Sequence, residues 1–90
     1  MQVILSQREG KCGDRVSIRV KPEDPAQVTR VHASVDYDFD FTLNRDGNEW
    51  TGEQTIPYEA GPGVYHVTFR AYDSTARSID TAQETFTVVN

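Results

Sequence analysis

The sequence predicts an all-β fold: seven antiparallel strands stacked as a two-sheet sandwich. Three observations predict it. After Gly61-Pro62-Gly63, residues 63–73 alternate without a break, with Tyr65, Val67, Phe69 and Ala71 on one side and His66, Thr68, Arg70 and Tyr72 on the other. That period of two marks a strand with one buried face and one wet face. Turn residues recur about every eight to twelve positions, the spacing of sandwich strands. No segment carries an apolar stripe at the 3.6-residue period of a helix, and residues 76–83, the nearest candidate, also lack one.

Residues 3–6 form a short first strand, and residues 10–14 turn the chain. Residues 15–21 alternate, with Val16, Ile18 and Val20 inward. Pro22-Glu23-Asp24-Pro25 is a turn, because each proline restricts both its own backbone and that of its predecessor. Residues 27–35 place Val31, Ala33 and Val35 on one face, and residues 37–43 continue the pattern through Tyr37, Phe39, Phe41 and Leu43. Unbroken from 31 to 43, this strand would be far longer than the usual five or six residues. A break is therefore expected near residues 36–38, as a bulge or a crossing between sheets. Asp46-Gly47 centres a hairpin turn over residues 44–48. Residues 49–56 return with Trp50 and Ile56 inward, and residues 57–62 cross to the Tyr65 strand. A loop over residues 74–80 leads to the last strand, where Phe86 and Val88 alternate with threonines. The expected core is Val16, Ile18, Val31, Ala33, Val35, Trp50, Tyr65, Val67, Phe69, Phe86 and Val88.

The chain of 90 residues is expected to form a single domain over residues 1–90. A chain of this length buries roughly 60 to 65% of its unfolded surface, enough for one thin core. Fourteen acidic against nine basic residues give a net charge of −5, which repels nucleic acid and anionic membrane surfaces. The longest apolar run, Val3-Ile4-Leu5, is far too short to span a bilayer, and no signal-peptide pattern precedes it. Cys12 is the single cysteine, so no internal disulfide forms and the count leaves the compartment open.

Five strings carry a family resemblance. They are Gly13-Asp14-Arg15-Val16-Ser17-Ile18, Val28-Thr29-Arg30-Val31, Asp46-Gly47-Asn48-Glu49-Trp50-Thr51-Gly52, Ile56-Pro57 and Gly63-Val64-Tyr65-His66-Val67. Together they resemble bacterial immunoglobulin-like modules of the E-set or fibronectin III-like kind, found as spacers in large secreted and cell-surface proteins. The resemblance implies an immunoglobulin-like sandwich with a tyrosine corner at Tyr65, in which the hydroxyl bonds the backbone a few residues upstream. The bridging cysteines of antibody domains would fall at Val67 and near Val16 or Ile18, so aliphatic packing replaces the bridge. After Asp73 such modules commonly carry Gly-Asn, where this chain has Ser74-Thr75-Ala76-Arg77-Ser78.

Candidate chemistry is sparse. Asp36, Asp38, Asp40 and Asp73 are the candidate Ca²⁺ ligands, since Ca²⁺ prefers carboxylates, and Asp46 lies in another loop that could join them. Alternate strand residues are roughly 6.6 Å apart, however, and the D-x-D-x-D string lacks the glycine and distant glutamate of an EF-hand loop. The plainer reading is a charged face that discourages edge-to-edge association. His32 and His66 lie on outward faces of strands expected to be neighbours, but a catalytic zinc site wants three protein ligands. Cys12, beside Lys11, has no histidine near it in sequence to act as its base and reads as an incidental thiol. No nucleophile elbow is present, and a thin sandwich is expected to offer no deep, dry pocket. Tyr58, Tyr72 and Tyr37 are the aromatic rings available to stack on a sugar.

The expectation is a non-catalytic structural spacer or adhesion-type module of a larger bacterial surface or secreted protein. It needs no cofactor and acts as a monomer, with neighbouring domains of the same chain, another protein or a carbohydrate as partners. Neither nucleic acid nor membrane insertion is expected, and the expected location is extracellular or on the cell surface. The alternative is a ligand-binding module for carbohydrate or calcium.

Overall fold

The long alternation from Val31 to Leu43 is two strands. In the computed structural model, which describes residues 1–36 and 39–90, β4 (Arg30–Val35) and β5 (Phe39–Asp46) run antiparallel, with Val31 opposite Leu43 and Val35 opposite Phe39. The expected break is therefore a reversal of the chain. The crossing between sheets comes later, within β5: Phe39 to Leu43 pair with β4, whereas Asn44 to Asp46 pair with β6 (Glu49–Thr55).

Around this pair stand β1 (Gln2–Leu5), β2 (Glu9–Lys11), β3 (Arg15–Lys21), β7 (Gly63–Tyr72) and β8 (Ser78–Val89). The hydrogen-bonded order is β1-β3-β6-β5-β4-β7-β8-β2, a curled sheet whose two halves face each other. The described residues thus form eight strands rather than seven. The sheet is also mixed, because β2 pairs parallel to β8. The additional strand, three residues within a turn-rich stretch, is too short to show alternation. The other disagreement is β8, which begins at Ser78 inside the expected loop. Its early positions opposite the inward Ala71 and Val67 are Asp80 and Glu84. Each has a partner: the Met1 amino group lies 3.3 Å from Asp80, and Arg8 lies 2.7 Å from Glu84. A 3₁₀ turn over Pro25–Gln27 takes in the first residue of the segment expected to be strand, and β4 itself starts only at Arg30.

Two glycines meet specific demands. Gly47 opens the two-residue loop between β5 and β6 at φ +66°, which other residues adopt with strain. Gly52, opposite Ile18, lies where β5 changes sheets. A Cβ there would come within 2.5 Å of Leu43 Cδ2, so the bare backbone leaves room for the buried Leu43.

The core is densest at one end. Val20, Val28, Val31, Ala33, Trp50, Phe69 and Ala71 are all at most 1% exposed, and Arg45 covers the indole from 5.0 Å. Of the expected core, Val35, Tyr65, Val67 and Phe86 are only half-buried. They share the opposite end.

Candidate functional site

That opposite end is open. Between the two halves of the sheet lies a cavity of about 590 Å³, lined mainly by apolar side chains including Val16, Ile18, Phe41, Tyr65, Val67 and Phe86. A thin sandwich is expected to offer no deep, dry pocket, yet the volume of this open cavity falls within the ~300–1,000 Å³ of small-molecule sites.

The cavity follows from the inward residues of β6. Residues opposite each other in an antiparallel pair face the same side, and β3 buries Val16, Ile18 and Val20. Their partners Gln54, Gly52 and Trp50 therefore point inward as well. Trp50 fills the closed end. Gly52 supplies no side chain, and Gln54 supplies a polar one that lines the cavity. Facing them, Val35, Tyr65, Val67 and Phe86 project into space their neighbours do not fill. Phe39 at the rim is 39% exposed, with its ring 6.0 Å from that of Phe41.

The loop between β6 and β7 forms one wall through Pro57, Glu59 and Ala60. It is fastened at two points. The Tyr65 hydroxyl donates to the Gly61 carbonyl at 2.7 Å, which is the upstream bond of a tyrosine corner. The Cys12 thiol lies 3.3 Å from the Ala60 carbonyl, so this half-buried free cysteine supports the loop.

The charged groups lining the cavity are Asp36 and Glu59. Asp36 Oδ2 accepts from the His66 backbone N–H at 2.9 Å and lies 3.0 Å from His66 Nδ1. The bond from the His66 backbone, then that from its ring, holds the Asp36 carboxyl below the usual carboxylate range. No lysine or arginine lines the cavity among the described residues.

The other candidates are dispersed. Asp40 pairs with His32 at 3.3 Å on the outer face. Asp73 accepts from the backbone and hydroxyl of Thr75 and from the Arg77 backbone, which folds its own loop and lowers its pKa, the Thr75 hydroxyl bond most of all. It follows the end of β7, whereas Asp36 bonds His66 near that strand's start, about 23 Å away along the chain. Asp36 and Asp73 do not converge. Asp46 lies 3.8 Å from Arg19 at the β5–β6 hairpin, while Asp38 and Tyr37 lie outside the described residues. Among the described residues no group of three His, Cys, Asp or Glu is placed to hold a metal ion. His32 sits opposite Arg70 and His66 bonds Asp36, so β4 and β7 are neighbours while the two imidazoles are about four residues apart. Tyr58 is 83% exposed, whereas half-buried Tyr72 lies beneath Arg30, 4.6 Å away.

No family model and no curated protein matches the chain. Among solved structures it is similar to the crystal structure of a Niemann-Pick type C2 protein from the Japanese carpenter ant, with a TM-score of 0.60 at 6% identity. The match covers 99% of this chain and 90% of the other. At that identity the likeness concerns the fold alone. The protein is β-rich, and its fold is similar to an immunoglobulin-like sandwich.

Proposed function

We propose that the protein is a non-catalytic binding module that holds an apolar small molecule between its sheets. The apolar cavity of about 590 Å³ carries this reading. An occupant would bury Tyr65, Val67, Phe86 and Phe41 more fully and gain roughly 25 cal/mol for each Å² of apolar surface removed from water. The half-buried residues of the open end leave apolar surface that such a guest would cover. Titration with the neutral fluorophore N-phenyl-1-naphthylamine tests the reading. Saturable, one-to-one enhancement is expected, and Val67→Trp, which fills the cavity, should abolish it while circular dichroism stays unchanged. Absence of saturable binding to the folded protein would exclude this function.

A second reading, as a structural spacer or adhesion-type module of a larger bacterial surface or secreted protein, rests on the path of the chain. The Met1 amino group pairs with Asp80 near the start of β8. The strand then runs on to Val89, about 30 Å further along a molecule 40 Å long. A chain entering at one end and leaving at the other suits modules strung in series, as does the resemblance to bacterial immunoglobulin-like modules. Tandem copies flanking this segment in its gene would favour that reading.

A further inference from the structure

The rim of the cavity selects among amphiphiles. Its walls accommodate an alkyl chain of any origin, so discrimination falls to the polar groups that meet the guest's head. The charged ones are the carboxylates of Asp36 and Glu59, and neither Lys nor Arg joins them among the described residues. Asp36 is anchored by His66 through one oxygen, Oδ2. A carboxylate offers about four acceptor positions, so it can still accept from a guest. Glu59 is exposed in the loop after β6 and makes no ion pair among the described residues. Among the neutral polar groups at the wall, Gln54 and Thr55 bond either kind of head and the Tyr65 hydroxyl gives its proton to Gly61, so they do not decide between the two.

We infer that the cavity takes an uncharged amphiphile whose polar end donates a hydrogen bond, a long-chain alcohol in class, and rejects the carboxylate of equal chain length. The inference rests on the reading of the cavity as a ligand site. A hydroxyl at the rim donates to Asp36 or Glu59 and leaves no charge out of water. A carboxylate there cannot donate, faces two like charges, lacks a cation, and must shed hydration to approach the apolar wall.

Competition against bound N-phenyl-1-naphthylamine at about pH 8 tests this, with decan-1-ol and decanoate as the matched pair below their aggregation limits. Decan-1-ol should displace the probe at a concentration at least about tenfold lower than decanoate, the scale of one like-charge contact near a protein surface. In Asp36→Asn/Glu59→Gln the gap should close through tighter decanoate binding. Glu59→Gln alone, at an exposed loop position that keeps the fold, should close part of it. Decanoate competing as well as decan-1-ol in the wild type would overturn the inference, as would a gap that survives unchanged in both variants. If the probe binds and these comparisons fail, only the selectivity falls. If neither the probe nor decan-1-ol binds, the ligand site falls with it.

Discussion

The end of the sandwich around Trp50 and the end around Tyr65 follow the same alternating pattern with opposite results. At the first, the indole lies within a cluster whose main members are at most 1% exposed. At the second, inward-pointing Val35, Tyr65, Val67 and Phe86 remain half-buried around a cavity. Apolar character is similar at both ends, and volume is not. Moving along β6 from Trp50, the next inward residues are Gly52 and Gln54, and the half-sheet of β1, β3 and β6 has no second aromatic ring to extend across the gap. A strand with one face apolar is therefore no guarantee of a filled core. Close packing requires that the facing residues sum to the space between the sheets.

Substitutions at the two ends would sharpen or break this contrast. Trp50→Ala should have the largest effect, about 3 to 5 kcal/mol in equilibrium denaturation, enough to unfold a marginal domain. Phe86→Ala should cost less, about 1 to 2 kcal/mol, because the ring is only partly buried. Equal losses from the two would show that the ends are packed alike. Gln54→Leu should act in the opposite direction, adding about 0.5 to 2 kcal/mol by filling space at the open end while weakening N-phenyl-1-naphthylamine binding. A stability gain with unaltered probe binding would place the probe elsewhere.

Tyr65→Phe removes one hydroxyl bond to Gly61 and keeps the ring. The bond lies at the surface, so the loss should be about 0.5 to 1.5 kcal/mol by urea midpoint. The smallest effect is pH-dependent. The folded pKa of Asp36 is lowered by His66, so its contribution is present above the ordinary carboxylate value near 3.8 and disappears as pH falls through the lower folded value. Wild type should therefore exceed Asp36→Asn in stability at neutral pH and lose that margin below about pH 4. A constant margin in denaturation midpoints from pH 7 to pH 2.5 would show that the His66 contacts do not stabilise the ionised carboxylate.

Much of the fold was legible because strand signals are local. Trp50 in the core, the turn at Gly47 and the Tyr65 bond to Gly61 each depend on residues close in sequence. The strand β2 was not legible, since three residues carry too little pattern. The start of β8 was hidden because Asp80 and Glu84 take positions that alternation reserves for apolar residues, and their partners Met1 and Arg8 are distant in sequence. The site had one readable signal, the Gly52 and Gln54 positions that interrupt the inward face after Trp50. Its meaning depended on what stood opposite. The carboxylates were seen as candidate calcium ligands, yet Asp36 and Asp73 lie near opposite ends of β7.

By itself the sequence determined most of the strands and which side of those strands is apolar, because successive side chains of an extended chain must point to opposite faces. Tertiary structure decided how those faces meet. It set the switch of β5 from β4 to β6, the parallel pairing of β2 with β8, and the placement of Asp36 and Glu59 beside one cavity. A cavity is a difference between the volumes of two surfaces brought together by long-range pairing, and neither surface alone encodes it.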